Sequence, residues 1–171
     1  MKATVEAIRQ SWSQERKEQM EYWSNLDQKA GIFPCRSFNL GKQTASLPHL
    51  DQKNLAQGWC SITPLGNFNP DLGGHLVLWD FKLVIRFSAG STVLIPSALL
   101  THSNIPVHLN ETRYSIVQYA AGRLFRWVQN GFRFNKDRLA HASKQEVEIY
   151  KTDEKLHWER AVDMYTKLDE L

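Results

Sequence analysis

The sequence predicts an α+β fold, with a β core carrying helical support at both ends. Three observations predict it. Charge is unevenly spread: residues 31–122 hold 6 basic and 4 acidic side chains, whereas the two flanks together hold 15 and 14. A charge-poor centre between charge-rich ends is the pattern of an apolar sheet with solvated helices outside it. The centre is also cut into short runs rich in Val, Ile, Leu, Thr and aromatics, while the ends carry helical spacing. Many short strands at close spacing point to a barrel, sandwich or jelly roll rather than a βαβ fold. At 171 residues the chain suits a single domain, 1–171, with an N-terminal helix over 1–30, a β core over 31–122 and mostly helical support over 123–171.

Taken in order, residues 3–30 read as helix. Val5, Ile8 and Trp12 fall at i, i+3 and i+7, and Glu15, Arg16, Lys17, Glu18 and Glu21 supply the polar face. Gly31 and Pro34 end it. The strand candidates are Trp59–Pro64, Leu76–Trp79, Lys82–Phe87, Thr92–Pro96, Ile105–His108 and Tyr114–Ala120. Turn residues separate them: Gly66-Asn67-Phe68-Asn69-Pro70 with Gly73-Gly74, then Ser88-Ala89-Gly90-Ser91, Asn104 and Leu109-Asn110-Glu111. After Asp137 helical spacing returns with heavy charge.

Composition excludes several function classes. The apolar run around Leu76–Phe87 is broken by Asp80, Lys82 and Arg86, so it is no membrane span. The opening residues, MKATVEAIRQSW, have no apolar run of the secretory type. Cys35 and Cys60 form no C-x-x-C pair, so both are expected as small apolar groups in a reduced, intracellular protein. No membrane and no obligate protein partner is expected. A net charge of +3 permits a nucleic-acid partner without arguing strongly for one.

The chemistry lies in the histidines. His49-Leu50-Asp51 is an H-x-D triplet, and period 2 puts His49 and Asp51 on one face of an extended chain. An imidazole and a carboxylate side by side are two-thirds of a facial triad for non-haem Fe(II). His102, expected just after the strand Thr92–Pro96, supplies the third ligand. His108 competes with it, but the longer spacing from His102 to Arg113 leaves room for a strand and a turn. Arg113 and Ser115 form an R-x-S pair on one strand face, able to grip a carboxylate by a charged fork plus a hydroxyl. An iron triad with a carboxylate clamp is what a 2-oxoglutarate-dependent dioxygenase requires. The competing structural reading makes His49 and Asp51 a surface loop pair and Arg113 a rim ion pair.

These residues carry a family resemblance. The strings PHLDQKNLAQGWCSITPLGNFNPDLGGHLVLWDFKLVIRF, GSTVLIPSALLTHSNIP and ETRYSIVQYAAGRLFRWVQNGFR resemble the TET/JBP group of Fe(II)- and 2-oxoglutarate-dependent nucleic-acid dioxygenases, above all its short fungal branch. The resemblance implies a double-stranded β-helix of jelly-roll or cupin-like type between N- and C-terminal supporting helices. It implies Fe(II) at His49, Asp51 and His102, 2-oxoglutarate as co-substrate at Arg113 and Ser115, and O2 as oxidant. In the extended frame H-x-D-x-x-N-x-x-x-G, filled here by His49, Asp51, Asn54 and Gly58, the Asn position contacts the target base. Asn54 inherits that role, with an Asx-type turn cap as the bland alternative. Tyr119 matches a position that stacks on a flipped base, with an ordinary barrel-wall aromatic as its alternative. Where the family has a base-contacting histidine two residues after that tyrosine, this chain has Ala121.

The expected activity is oxidation of a methylated, 5-methylcytosine-like base in DNA or RNA, with release of succinate and CO2; for DNA the setting would be nuclear. Two alternatives stand beside it: the same iron chemistry on a protein side chain or small molecule, and a non-catalytic β-helix binding module. Other residues favour bland readings. His75 is structural, and His141 and His157 are solvated in the charged tail. Arg123 to Trp127, with Phe132 to Phe134, interleaves arginines and aromatics as a single-strand-binding surface would, but amphipathic packing of Leu124, Phe125, Trp127 and Val128 explains most of it.

Overall fold

Seven short strands occupy the centre of the chain in the computed structural model, which describes residues 32–170. The helix expected over 3–30 lies outside the described residues. The strands are β1 (Cys35–Asn39), β2 (Cys60–Asn67), β3 (Leu76–Leu78), β4 (Leu83–Ile85), β5 (Val93–Ile95), β6 (His102–Asn104) and β7 (Thr112–Tyr119). They form two antiparallel sheets, one in the order β1-β7-β2-β5 and one in the order β4-β3-β6. The fold is thus mixed α/β with antiparallel sheets. Residues 35–122 form one compact unit; the described residues of the other are 32–34 and 123–170.

Inward side chains of both sheets build one core: Cys60 and Ile62 from β2, Ile95 from β5, Leu76 and Leu78 from β3, together with Phe87. Burying a Leu such as Leu76 stabilises by about 1.5–3 kcal/mol relative to leaving it exposed. A strap over residues 42–49 ties the sheets together. Arg113 N donates to Lys42 O (2.7 Å) and Thr44 N to Arg113 O (2.9 Å) at the β7 end. Further along, Asn104 N donates to Ser46 O (3.1 Å), and His49 and His102 exchange both backbone bonds (3.1 and 3.0 Å).

Two expected strands change. Ile105–His108 is not a strand; pairing with β3 uses His102–Asn104 instead, and Pro106 has no N–H to continue the ladder. His102 therefore follows β5, as expected, and opens a strand of its own. Trp59–Pro64 shifts to Cys60–Asn67 because β7 pairs with it as far as Asn67↔Thr112. Pro64 is tolerated there, since β5 reaches only Ile62. Gly66 faces Arg113 with φ +116°, and a Cβ would sit 2.3 Å from Thr112 O, so only glycine allows this approach to the strand bearing Arg113. CRSFN lacks an apolar alternation and so carries no strand signal of its own; pairing with β7 creates β1.

The other unit is helical: α1 (Gly122–Gln129), α2 (Asn135–Ala140) and α3 (Lys144–Val162), then a 3-10 turn at Leu168–Glu170. On α1, Arg123 and Arg126 are exposed while Leu124, Phe125, Trp127 and Val128 are half-buried, as amphipathic packing requires. Ser143 and Glu146 close a capping box at the start of α3, each side chain accepting from the other's backbone N–H (3.3 and 2.7 Å). Among the described residues no helix is long and apolar enough to cross a membrane.

Candidate metal centre

The exchange of backbone bonds between His49 and His102 brings two imidazoles from distant parts of the sequence to a centroid separation of 4.4 Å. Asp51 follows on the same face and is held by Asp51 N donating to Ser97 O (3.0 Å). Its carboxylate lies between the rings: Oδ1 is 3.6 Å from His49 Nε2, and Oδ2 is 4.0 Å from His102 Nε2. One ligand atom from each of the three residues lies within 4.8 Å of the others, close enough for a single ion to bridge them.

The surroundings prepare these groups for a cation. Nδ1 of His49 donates to Leu47 O (2.8 Å) and Nδ1 of His102 to Leu100 O (2.9 Å). Each bond fixes the proton on Nδ1 and leaves the Nε2 lone pair facing the carboxylate, the tautomer a metal ligand needs. Burial pushes the His102 imidazole below its usual pKa, favouring the neutral form that ligates. His102 is almost wholly buried, whereas the His49 side chain keeps 41% of its exposure, so the centre opens on one side. His108, the competing ligand, is exposed and its backbone N–H donates to the Glu111 carboxylate (2.9 Å). His75 is half-buried outside this group, exposed His141 caps the end of α2, and the side chain of His157 lies outside the description.

Asn54 stands beside the carboxylate. Its Nδ2 donates to Asp51 Oδ2 (3.2 Å) and to Ser97 Oγ (3.1 Å), so both amide hydrogens are engaged. The geometry gives this side chain a part in holding Asp51, distinct from the base contact and turn cap considered from sequence. Replacing Asn54 by Ala is expected to weaken divalent-metal affinity about 10–100-fold, the usual cost of losing such a support. Metal titration would check this, with unaltered affinity the adverse result. Beneath it, burial raises the Cys60 thiol to about 11, against the hydrogen bond from Ser97, so the thiol stays protonated and unreactive.

A cavity of about 530 Å³ extends from the triad and is also lined by Asn104, Ser115 and Tyr119. Ser115 and Tyr119 share a face of β7 with Arg113 by the two-residue period. Arg113 retains only 1% of its exposure. Its Nη1 donates to Thr44 O (2.7 Å), but Nε and Nη2 are buried without a partner. Burial pushes the guanidinium pKa down, yet an arginine remains charged. Among the described residues Arg113 forms no ion pair, on the rim or elsewhere. Ser115 Oγ accepts from Asn39 Nδ2 (2.9 Å), which leaves the Ser115 hydroxyl hydrogen available to another acceptor. Tyr119 is half-buried, its OH accepting from Ser37 Oγ at 3.5 Å. Ala121 pairs by a β-bridge with Asn54, next to the bond from Leu55 N to Ala120 O (2.7 Å).

Asn39, Ser97 and Asn104 also belong to the site. Asn39 and Ser97 come to it through pairing between distant segments, with no local pattern to mark them, whereas Asn104 stands one period-2 step from His102, a spacing that could mark it.

No protein-family model and no curated protein sequence matches the chain. Among solved structures it is similar to NgTET1 in complex with 5mC DNA, at 20% identity and a TM-score of 0.47, over 53% of this chain and 35% of that one. It is also similar to the viral collagen prolyl hydroxylase of Paramecium Bursaria Chlorella virus-1 in a 2OG complex, at 16% identity and a TM-score of 0.37, over 62% of this chain and 72% of that one. This chain thus aligns with about a third of the length of NgTET1.

Proposed function

We propose that the protein is an Fe(II)- and 2-oxoglutarate-dependent dioxygenase that oxidises a methylated nucleic-acid base, releasing succinate and CO2. The observation that carries the proposal is Arg113: a buried cation with two donor atoms unpartnered among the described residues, on the same strand face as Ser115, which lines the cavity that also holds a His-Asp-His triad. A buried charge without a partner is costly. A carboxylate supplied by a ligand offsets that cost, and a dicarboxylate with a 2-oxo acid group at its other end suits a cavity with a metal triad. Sheets with a shared core, tied by the strap over 42–49, support the double-stranded β-helix as the finer description.

Iron(II), when bound, supplies activation of dioxygen for oxidation of a C–H bond. His49, Asp51 and His102 would hold it through Nε2, a carboxylate oxygen and Nε2, three protein ligands that leave positions for co-substrate and oxygen. Arg113 and Ser115 would orient the co-substrate by gripping its distal carboxylate. Tyr119 offers a ring for a base turned out of its stack, worth about 1–3 kcal/mol. Asn54 keeps Asp51 turned toward the imidazoles. Position 121 is alanine and offers no imidazole of its own, which favours as a second reading the same chemistry on a protein side chain or small molecule.

Anaerobic addition of Fe(II) and 2-oxoglutarate is expected to produce the visible charge-transfer band of the ternary complex, abolished in His49→Ala. Failure to see it in the unaltered protein would remove both enzyme readings in favour of a binding module. Succinate release should then rise with methylated single strands or duplexes; stimulation by peptides alone would move the substrate to protein.

A further inference from the structure

Among the described residues, the buried side-chain polar atoms without a partner are His75 Nδ1, Asn104 Nδ2, and Arg113 Nε and Nη2. Of these residues Asn104 lines the cavity, whereas His75 and Arg113 do not; Arg113 reaches its wall through Thr44, which does. Asn104 and Arg113 come from different sheets, yet both are fastened to the same short strap. Arg113 Nη1 donates to Thr44 O (2.7 Å), while Asn104 Oδ1 accepts from Ser46 Oγ (3.1 Å) and Asn104 N donates to Ser46 O (3.1 Å). Thr44 and Ser46 are two residues apart and both line the cavity. Each side chain thus uses one end to fix itself and leaves only donors unsatisfied. A group that only accepts is what these donors lack.

Position along the strand agrees. Asn104 lies two residues beyond His102 on β6, one step of about 6.5 Å along the same face. That step leads from the triad toward the level of the strap where Arg113 is anchored. Within the dioxygenase reading, on which this inference rests, it is the direction in which a co-substrate bound at the metal would extend.

We propose that Asn104 Nδ2 binds the distal carboxylate of 2-oxoglutarate beside Arg113 and Ser115, and so selects a five-carbon 2-oxo diacid over 2-oxo acids that lack a second carboxylate. Ser46 is the positioning residue that turns the amide so that Nδ2, and not Oδ1, meets the ligand.

The test compares 2-oxoglutarate with 2-oxobutyrate, which keeps the chelating end and lacks the distal carboxylate. Anaerobic titration of the Fe(II)-loaded full chain, followed by the charge-transfer band, gives both affinities. Asn104→Ala is expected to weaken 2-oxoglutarate about 10–100-fold, the scale for a hydrogen bond to a charged group, while leaving 2-oxobutyrate and Fe(II) affinities unchanged. Asn104→Asp, which sets a like charge against the carboxylate, should lose more. Equal losses for both acids, or unaltered 2-oxoglutarate binding, would overturn the proposal. A measurement on the unaltered protein does not depend on the variants folding: loaded with diamagnetic Zn(II), it should shift its Asn104 side-chain amide resonances on adding 2-oxoglutarate but not 2-oxobutyrate. No shift overturns the role of Asn104 while leaving the dioxygenase reading intact. Absence of any 2-oxoglutarate complex in the unaltered protein overturns that reading, and this proposal with it.

Discussion

His102→Ala is expected to abolish Fe(II) binding at the triad and, with it, every iron-dependent activity of the protein. The side chain is almost fully buried, its Nδ1 is held by Leu100 O, and its Nε2 faces Asp51. Changing a supporting residue around a metal typically costs 10–100-fold in affinity, so removal of a ligand should exceed about a hundredfold. Alanine leaves a buried gap in β6, so circular dichroism must first show that the sheet is retained. His108→Ala is the matched control: that side chain is exposed and remote from the triad, and metal affinity should stay within about twofold, well under the cost of one hydrogen bond. Retained metal binding in the His102 variant, or its loss in the His108 variant, would show that the third ligand has been misassigned.

Arg113→Met should separate stability from function by moving them in opposite directions. In the unliganded protein the guanidinium is buried, paired with no carboxylate among the described residues, and satisfied only at Nη1 by Thr44 O. An apolar side chain of similar length removes the desolvated charge. Such replacements of buried ionic groups are often neutral or stabilising by about 1–4 kcal/mol. Loss of the Thr44 bond offsets about 1 kcal/mol of that gain. The unliganded variant should therefore melt a few degrees higher, since about 1 kcal/mol corresponds to roughly 2–4 °C in a chain of this size. It should also bind 2-oxoglutarate at least about a hundredfold more weakly, because two charge-assisted bonds disappear. With Fe(II) present throughout, the unaltered protein should by linkage gain further thermal stability from 2-oxoglutarate, and the variant much less at the same concentration. A variant that melts lower yet binds the co-substrate normally would make Arg113 a structural cation.

Much of the site was legible from sequence because its residue types are distinctive and locally spaced. H-x-D at period 2 puts two ligand types on one face in any extended chain, so His49 and Asp51 needed no tertiary information to be paired. Arg113 and Ser115 followed by the same period. His102 was harder: its place beside His49 depends on a bridge across 53 positions, which spacing along the chain does not show. The failed strand at Ile105–His108 has the same origin. Local β propensity favoured Ile105 and Val107, but Pro106 and the register against β3 moved the strand to His102–Asn104. Asn54 shows the limit for function: an amide can bond a base edge, a turn or a neighbouring carboxylate, and only the packed chain directs its two hydrogens to Asp51 and Ser97.

The charge-poor centre, the short strands and the order of H-x-D, His and R-x-S were thus determined by the sequence alone, because period and composition act within a few residues. The tertiary structure decided which groups lack partners. Arg113 is an ordinary basic residue until β7 buries it, and Asn104 an ordinary turn asparagine until β6 and the strap over 42–49 close around its amide. An unsatisfied donor exists only once every neighbour has been placed, and it is these donors that point to an acidic ligand.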